Sequence, residues 1–581
     1  MARRVRLSAA LLAVAVSVAG SAVAVAQVDG HASGRFDRPR AGFAPPTTVL
    51  RPGSPESVGL DAAPIRAADE AIARWTRPDP ATGRPLFAGA VSLLAHDGVV
   101  VHRGVAGQAV RYADAAGTEL PADQQTPMRA DTIFDLASVS KLFTSLAVMC
   151  LVEDGLVRVD ERVAAYLPEF GVNGKAAITV EQLLTHTSGL EPFIPLWRDW
   201  PDRPARIKAV MDRAPTSPPG TKYVYSDLNL ITLGVLVERL SGQPLDAFTA
   251  DRITTPLGLH DTGYNPPASK LDRIAATEYQ AVPARGMVRG QAHDENAWSL
   301  GGVAGHAGVF STAADLSVLG QAILNGGGYA GARILRPDTV REMLTNYNTE
   351  FPGSDHGLGF ELSQRWYMGG LTGPRTAGHT GFTGTSLVLD PASRSIAILL
   401  TNRVHPSRSW GSVNVARETL ATGLARSLAV RPRHGGDAWH AGFGNGATAT
   451  LSTPPLAGSG TLRVAFDAFV DTEAADPLVL EASDDGTTWR SVPVRAHGPG
   501  APVGEQPLLS GFGHRSWWKI NAWVPASGRI TLRWRSTTDS RYAGRGVYLD
   551  GITVTDSSHL LLSGEKEPHL LRPQGWEVRT R

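Results

Sequence analysis

From residue 138 to 153 apolar side chains occupy almost every position, among them Leu142, Phe143, Leu146, Ala147, Met149 and Val152. A surface helix would show one apolar stripe, so this segment predicts a helix buried in the middle of a domain. Asp154-Gly155 ends it. Upstream, Asp61 caps a predicted helix that runs to Trp75, and Gly89–Leu94 and Val99–His102 read as strands joined by the Asp97-Gly98 turn. Residues from about 160 to 345 read as helical segments and loops; Thr312 caps a helix that runs through Ile323, with Asp315 reaching back. Thr385–Leu389 and Ser395–Thr401 form a second strand pair, and a last helix runs from about Val413 to Ala429. Strands near both ends with helices between them predict an α/β (α+β) fold, a mixed sheet flanked by helices with an inserted helical lobe. The cleft belongs between lobe and sheet.

The texture changes at residues 431–437, Arg431 to Asp437, which read as a linker. Beyond it come short β-type runs: Leu462–Phe469, Leu478–Ala482, Trp517–Trp523, Ile530–Arg535 and Val547–Val554, with Asp485-Gly486 and Ser527-Gly528 as turns. This predicts an all-β sandwich over 438–560, followed by a tail over 561–581. The catalytic unit is read as 55–430, behind an extended lead-in over 27–54. The sandwich is expected to be separable from the chemistry.

Length changes the picture little: 581 residues suit two or three domains. The N-terminus changes it more. Arg3, Arg4 and Arg6 precede an Ala/Val/Leu-rich run from Leu7 to Ala26, and Ala24-Val25-Ala26 is a small-x-small cleavage site. Residues 1–26 read as a signal peptide and the protein as secreted, the mature chain beginning at Gln27. An uncleaved membrane anchor is the alternative, and the one route to a membrane. Net charge is +1, so nothing points to nucleic acid. Cys150, the single cysteine, lies in the apolar run and reads as a small buried hydrophobe.

Three motifs carry candidate chemistry. Ser138-Val139-Ser140-Lys141 brings a hydroxyl and an amine to one helix face. Ser138 is the candidate nucleophile at a helix N-terminus, and Lys141 the candidate base, its neutral form favoured by burial. Tyr225 follows the Pro218-Pro219-Gly220 loop and is a second candidate base, with a pKa lowered by a nearby lysine. Asp227 either contacts Lys141 or a substrate amide, or caps the next helix. His379-Thr380-Gly381 opens a Gly-rich strand region; His379 would supply polarity or positive charge to a substrate carboxylate, beside Thr380 and Gly381. The Ser138 and Phe382 N–H groups would form the oxyanion hole. His293-Asp294-Glu295 and His306 lack metal-site spacing and read as a loop at the cleft rim, so no metal is expected at the cleft and no cofactor is required.

In this order, S-x-x-K, Tyr225-Ser226-Asp227 and His379-Thr380-Gly381 resemble the class C β-lactamase and D-alanyl-D-alanine carboxypeptidase superfamily of serine hydrolases. Leu183-Leu184-Thr185-His186-Thr187-Ser188-Gly189-Leu190 matches its L-L-x-H-x-S-G-L segment, and Gly302–Thr312 its glycine-rich segment. The resemblance implies a β-lactamase/transpeptidase-like catalytic fold and an acyl-enzyme on Ser138. The implied substrate is a D-alanyl peptide or amide of cell-wall type. The alternatives are a family VIII-type carboxylesterase, a weak β-lactamase, or a penicillin-binding sensor with little turnover. Asp227 stands where the superfamily commonly has Asn, and His379 where class C β-lactamases have Lys. The C-terminal part resembles jelly-roll modules of secreted hydrolases; its Trp489, Trp517, Trp518 and Trp534 either fill a core or line a face for carbohydrate or cell-wall polymer. Asp471, Glu473 and Asp550 are possible calcium ligands there.

Overall fold

The computed structural model describes residues 33–581 apart from 443, 542, 543 and 558, so the signal-like segment 1–26 and Gln27 lie outside the described residues. Gly89–His96 and Val99–Val110 form a hairpin. Its turn carries two consecutive positive φ angles, Asp97 at 47° and Gly98 at 76°, the twist that suits a two-residue hairpin loop. The central sheet runs Arg51–Pro52, Val99–Val110, Gly89–His96, Ser395–Thr401, Thr385–Asp390, Ala377–Thr380, Glu361–Leu362. It is antiparallel except for the Arg51–Pro52 edge, which is parallel to its neighbour. Its central strands are buried along their whole length, because both faces are covered.

Alternation along one strand shows the two layers. Val91, Leu93 and Ala95 join a core built with the serine helix, Ser140–Glu153, and with Asp227–Ser241 and Ala313–Leu324. Ala90 and Leu94 face the other way, against Ala62–Arg74 and Asn414–Ser427. Asp61 accepts from the Ala63 N–H and caps its helix. Thr312 caps Ala313–Leu324, but Asp315 does not reach back. Its carboxylate takes the Asp261 N–H and the Thr262 hydroxyl, both 2.8 Å away, so tertiary donors replace the capping box. Among the described residues, no helix is long and apolar enough to cross a membrane.

The C-terminal domain is an antiparallel sheet curled around one core containing Leu451, Val464, Phe466, Leu480, Ile520 and Trp534. Ser527-Gly528 is not a turn between strands. Trp517–Thr537 is one strand, with Ser527 and Gly528 registered against Ser459 and Gly458. Its two flanks meet different partners, which lets one strand serve both arms of the curl. Residues expected as a tail supply the strands Leu560–Ser563, Arg572–Gln574 and Glu577–Arg579. Trp518 is 1% and Trp534 0% exposed, and Trp517 is buried too. These three tryptophans are core, which removes them from any sugar-binding face.

The two parts share a core. Phe36, Tyr367, Leu428 and Val430 pack in one cluster with Ala438, Phe469, Trp517 and Tyr548. Across this seam Arg515 pairs with Asp390 at 2.7 Å, both side chains 1% exposed, and Arg515 Nη2 donates to Leu371 O at 2.6 Å. Arg545 donates to Ala425 O, and both arginines lie over the Phe36 ring. The linker is tied down as well: the Arg433 and His434 N–H groups donate to Asp550. The expected separability does not fit this packing, because the seam is apolar and holds a desolvated charge pair.

Candidate active site

The strand Phe134–Asp135 ends at a backbone bend. Ala137 has φ of 47°, a left-handed conformation that costs a non-glycine residue roughly 1–2 kcal/mol. The bend is held by Asp135, whose two carboxylate oxygens accept from the Ala137 N–H at 2.8 Å and the His293 N–H at 2.6 Å. It delivers Ser138 onto a single 3-10 turn, Ala137–Val139, that runs directly into Ser140–Glu153. Ser138 is half-buried and faces an open cleft of about 350 Å³.

Lys141 lies one turn further on, 1% exposed. Its Nζ donates to Ser138 Oγ at 2.8 Å and to His306 O at 3.2 Å. It pairs with Asp227 Oδ1 at 2.8 Å and lies 4.8 Å from the centre of the Tyr225 ring. Sequence reasoning favoured a neutral Lys141; the surroundings reverse this. Burial opposes the charge, but Asp227 and Tyr225 outweigh it and hold the pKa above the ordinary lysine value. Tyr225 is shifted against expectation too. Its hydroxyl reaches both Lys141 and Ser138, yet burial raises its pKa to about 12, with Lys141 only partly offsetting the rise. The resting site is therefore an ammonium and a phenol around a hydroxyl.

Asp227 is the first residue of Asp227–Ser241, and the cap position belongs to Ser226. Of its two possible roles the geometry favours the Lys141 contact. Replacing the carboxylate by an amide removes the charge that raises the Lys141 pKa. In Asp227→Asn the limb on which rate rises with pH, as the Lys141–Tyr225 pair loses a proton, should move to lower pH, and a profile identical to the parent's would show that Lys141 titration does not limit the rate.

Two segments position these groups. The His186 O accepts from the Val224 N–H at 2.9 Å and its Nδ1 accepts from the Ser226 N–H at 3.0 Å, while its ring packs 4.6 Å from that of Tyr225. The 183–190 segment is thus a cradle for the Tyr225 loop. The glycine-rich segment threads between two helices: Thr144 Oγ1 donates to Gly305 O at 2.8 Å, and a Cβ at Gly305 would collide with Leu230 O.

The third wall is the strand Ala377–Thr380 and the Gly381–Gly384 turn. Gly381 sits against the Leu136 carbonyl with no room for a Cβ. Thr383 and Thr385 donate to the Asp135 and Leu136 carbonyls at 2.7 and 2.9 Å, which locks this turn to the segment before Ser138. Thr380, Gly381 and Phe382 line the cleft. Gly384 N–H closes onto Gly381 O at 3.0 Å, so Phe382 lies in the turn between the two strands. His379 is placed differently from expectation. It is 1% exposed, its Nδ1 bonds to Thr380 O, and burial, reinforced by Lys141, lowers its pKa to about 3. It is a neutral support behind Thr380 and not a cation in the cleft.

The cations there are Arg403 and Arg417, which line the wall with Glu361 and Trp366. Arg417 is clamped by Gly381 O and Thr385 O, and stays charged although burial lowers its pKa to about 10. Glu361 is pushed up to about 7 by burial. Between its ordinary 4.5 and about 7 the unfolded chain sheds this proton first, so stability falls as pH rises across that window. Glu361→Gln should remove that fall, on the order of 2 kcal/mol. Thermal melts of parent and variant at pH 5 and pH 8 check it, and an equal pH dependence in both would count against it.

Sequence reasoning missed these four cleft residues, since none lies in a recognisable motif. Asp294 and His306, read from sequence as part of a rim loop, form a pair: Asp294 accepts from His306 Nε2 at 2.9 Å, and ligand atoms of Asp227, Asp294 and His306 lie within 4.8 Å of one another. Lys141 supplies the cation of this group. His293 does not line the cleft but bonds Glu278 at 2.9 Å and stacks under Phe382.

The Beta-lactamase family profile matches residues 74–421. A protein of Escherichia coli (strain K12) described as "Putative D-alanyl-D-alanine carboxypeptidase" is 33% identical over 390 residues, 61% of this chain and 86% of the relative. A protein so described from Salmonella enteritidis PT4 (strain P125109) is 32% identical over 410 residues, 64% of this chain and 90% of its own. A solved penicillin-binding protein homolog from Caulobacter crescentus shares the fold, with a TM-score of 0.50 at 24% identity over 64% of this chain and 99% of its own. The matched region takes in the buried serine helix, the Tyr225 loop and the His379-Thr380-Gly381 strand, and the chain belongs to the Beta-lactamase family of serine hydrolases.

Proposed function

We propose that this hydrolase acts outside the cytoplasm on D-alanyl peptide or amide bonds of cell-wall type, through an acyl-enzyme on Ser138. The observation that carries the mechanism is Lys141 Nζ 2.8 Å from Ser138 Oγ, with the Tyr225 hydroxyl in reach of both. The Lys141–Tyr225 pair acts as acceptor in its minor form, one proton short. Ser138 Oγ attacks the carbonyl carbon while its proton passes to the pair. The oxyanion is held by the Ser138 and Phe382 N–H groups. The C–N bond then breaks and the pair returns the proton to the leaving amine. Water repeats the sequence: it loses a proton to the pair, the C–Oγ bond breaks, and Ser138 recovers its hydrogen.

Two things support the substrate class. The relatives just named both carry the description "Putative D-alanyl-D-alanine carboxypeptidase" and match over 86% and 90% of their length. The cleft wall beyond Thr380 carries Arg403 and Arg417, cations suited to a peptide carboxylate, where His379 is neutral. The 1–26 segment supports export. A small neutral ester is the second reading, favoured by the uncharged imidazole at His379. Carbohydrate or wall polymer stays a proposed partner of the C-terminal domain, through exposed residues such as Trp523. The test is turnover on a D-Ala-D-Ala peptide, a p-nitrophenyl ester and a chromogenic cephalosporin, with intact-mass detection of the adduct. D-alanine release above ester turnover is expected; ester turnover alone would overturn the peptide reading.

The proton path makes its own prediction. Lys141→Ala and Tyr225→Phe should each lower turnover by roughly 10²–10⁴. The double variant should lose little more than the worse single one, because both serve one path. A Tyr225→Phe enzyme of near-normal rate would leave Lys141 as the base.

A further inference from the structure

Away from the cleft, three carboxylates meet in the C-terminal domain. Glu473 and Asp476 lie on the loop between the strands Leu456–Asp471 and Leu478–Ser483, and Asp539 follows the end of Trp517–Thr537. One oxygen of each lies within 4.8 Å of the other two. Asp476 is wholly buried. Its Oδ1 accepts the Asp539 N–H at 2.7 Å, while its Oδ2, also buried, has no hydrogen-bond donor among the described residues. Glu473 and Asp539 approach to hydrogen-bonding distance. Two carboxylates at that distance need a shared proton or a shared cation, and a buried acceptor oxygen without a donor adds the same demand. Arg365, across the domain seam, is the cation that faces the group.

We propose that Glu473, Asp476 and Asp539 form a calcium-binding site. The donors are all oxygens, with no sulfur or imidazole, which selects a hard cation. They come from two loops, one acid buried and one exposed, an irregular set that suits calcium's variable coordination better than magnesium's strict octahedron. The other acids grouped with Glu473 by sequence are engaged elsewhere. Asp471 accepts the Arg545 and Gly513 N–H groups, and Asp550 accepts those of Arg433 and His434. A bound ion would join the 472–477 loop to the end of the longest strand, beside the Arg365–Met368 helix whose Trp366 lines the cleft.

The test uses the full chain, stripped with EDTA and dialysed. Calorimetric titration with calcium chloride should show one site with a dissociation constant in the range of about 10⁻⁴ to 10⁻³ M, as in extracellular modules. The melting temperature in 10 mM calcium, a concentration chosen to saturate such a site, should exceed that in EDTA by several degrees. Asp539→Asn, at an exposed position, should fold and weaken binding at least tenfold; Glu473→Gln should do the same. No binding at that concentration would overturn the proposal, as would equal or tighter binding of magnesium. Binding that survives in Asp539→Asn but disappears in Asp294→Asn would place the ion at the cleft cluster and overturn it too. If Asp539→Asn melts higher than the parent in EDTA and calcium raises neither, the acids share a proton, and the site is refuted.

Discussion

Ser138→Ala is expected to abolish hydrolysis and covalent labelling while leaving the fold intact. The alanine loses only a hydroxyl that faces the cleft, on a turn whose shape is set by Asp135 and the strain at Ala137, neither of which needs the Oγ. The loss should reach the background left by binding and oxyanion stabilisation, some 10³ or more below the parent. Intact mass after a penicillin or fluorophosphonate probe, with peptide mapping, is the measurement. Label mapping to Ser188 or Ser226 would sink the assignment, but both are wholly buried and bonded, Ser188 to Asn229 and Ser226 to Glu191 O.

A chain ending at Arg433 is expected to be insoluble or inactive, even though every catalytic group lies upstream. Removing the C-terminal domain takes Phe469, Trp517 and Tyr548 off the seam, each worth about 1.5–3 kcal/mol when fully buried. It also leaves Asp390 without Arg515, a loss of roughly 3–5 kcal/mol for a broken buried pair. Together these approach the whole stability of a typical domain, about 5–15 kcal/mol. The damage reaches the site because Asp390 ends the strand that pairs with Ala377–Thr380, and Arg515 also grips Leu371 O before that strand. Arg515→Ala in the full chain is the milder form and should lower the melting temperature and the turnover together. A soluble, fully active truncated protein would show that the seam is dispensable.

Much of the catalytic fold was legible because it obeys local rules. Asp61 and Thr312 sit as caps, Asp97-Gly98 closes its hairpin, and the featureless apolar run after Ser138 is the central helix. The three motifs could be ordered from the chain alone, and the structure brings Ser138, Lys141, Tyr225 and Asp227 together. Their charge states could not be read. The Lys141 proton is decided by Asp227, far along the chain, against burial by residues from several elements. His379 was misread for a similar reason: the motif shows its neighbours in sequence, not the wall that buries it. Arg403, Arg417 and Glu361 escaped because a lone charged residue looks the same whether it lines a cleft or a surface. Ser527-Gly528 misled because a turn-like dipeptide can also continue a long bent strand when partners flank it.

The seam also sets an order of events during folding. Phe36 packs edge-on against Phe469 and under Arg515 and Arg545, so one of the first described side chains waits for some of the last. Until the C-terminal strands are in place, the catalytic sheet carries an unsealed apolar flank with Asp390 at its edge. Contacts of such sequence separation close late, and the half-made chain is sticky until they do. A chaperone that shields this flank until the C-terminal strands dock would raise the yield of folded protein.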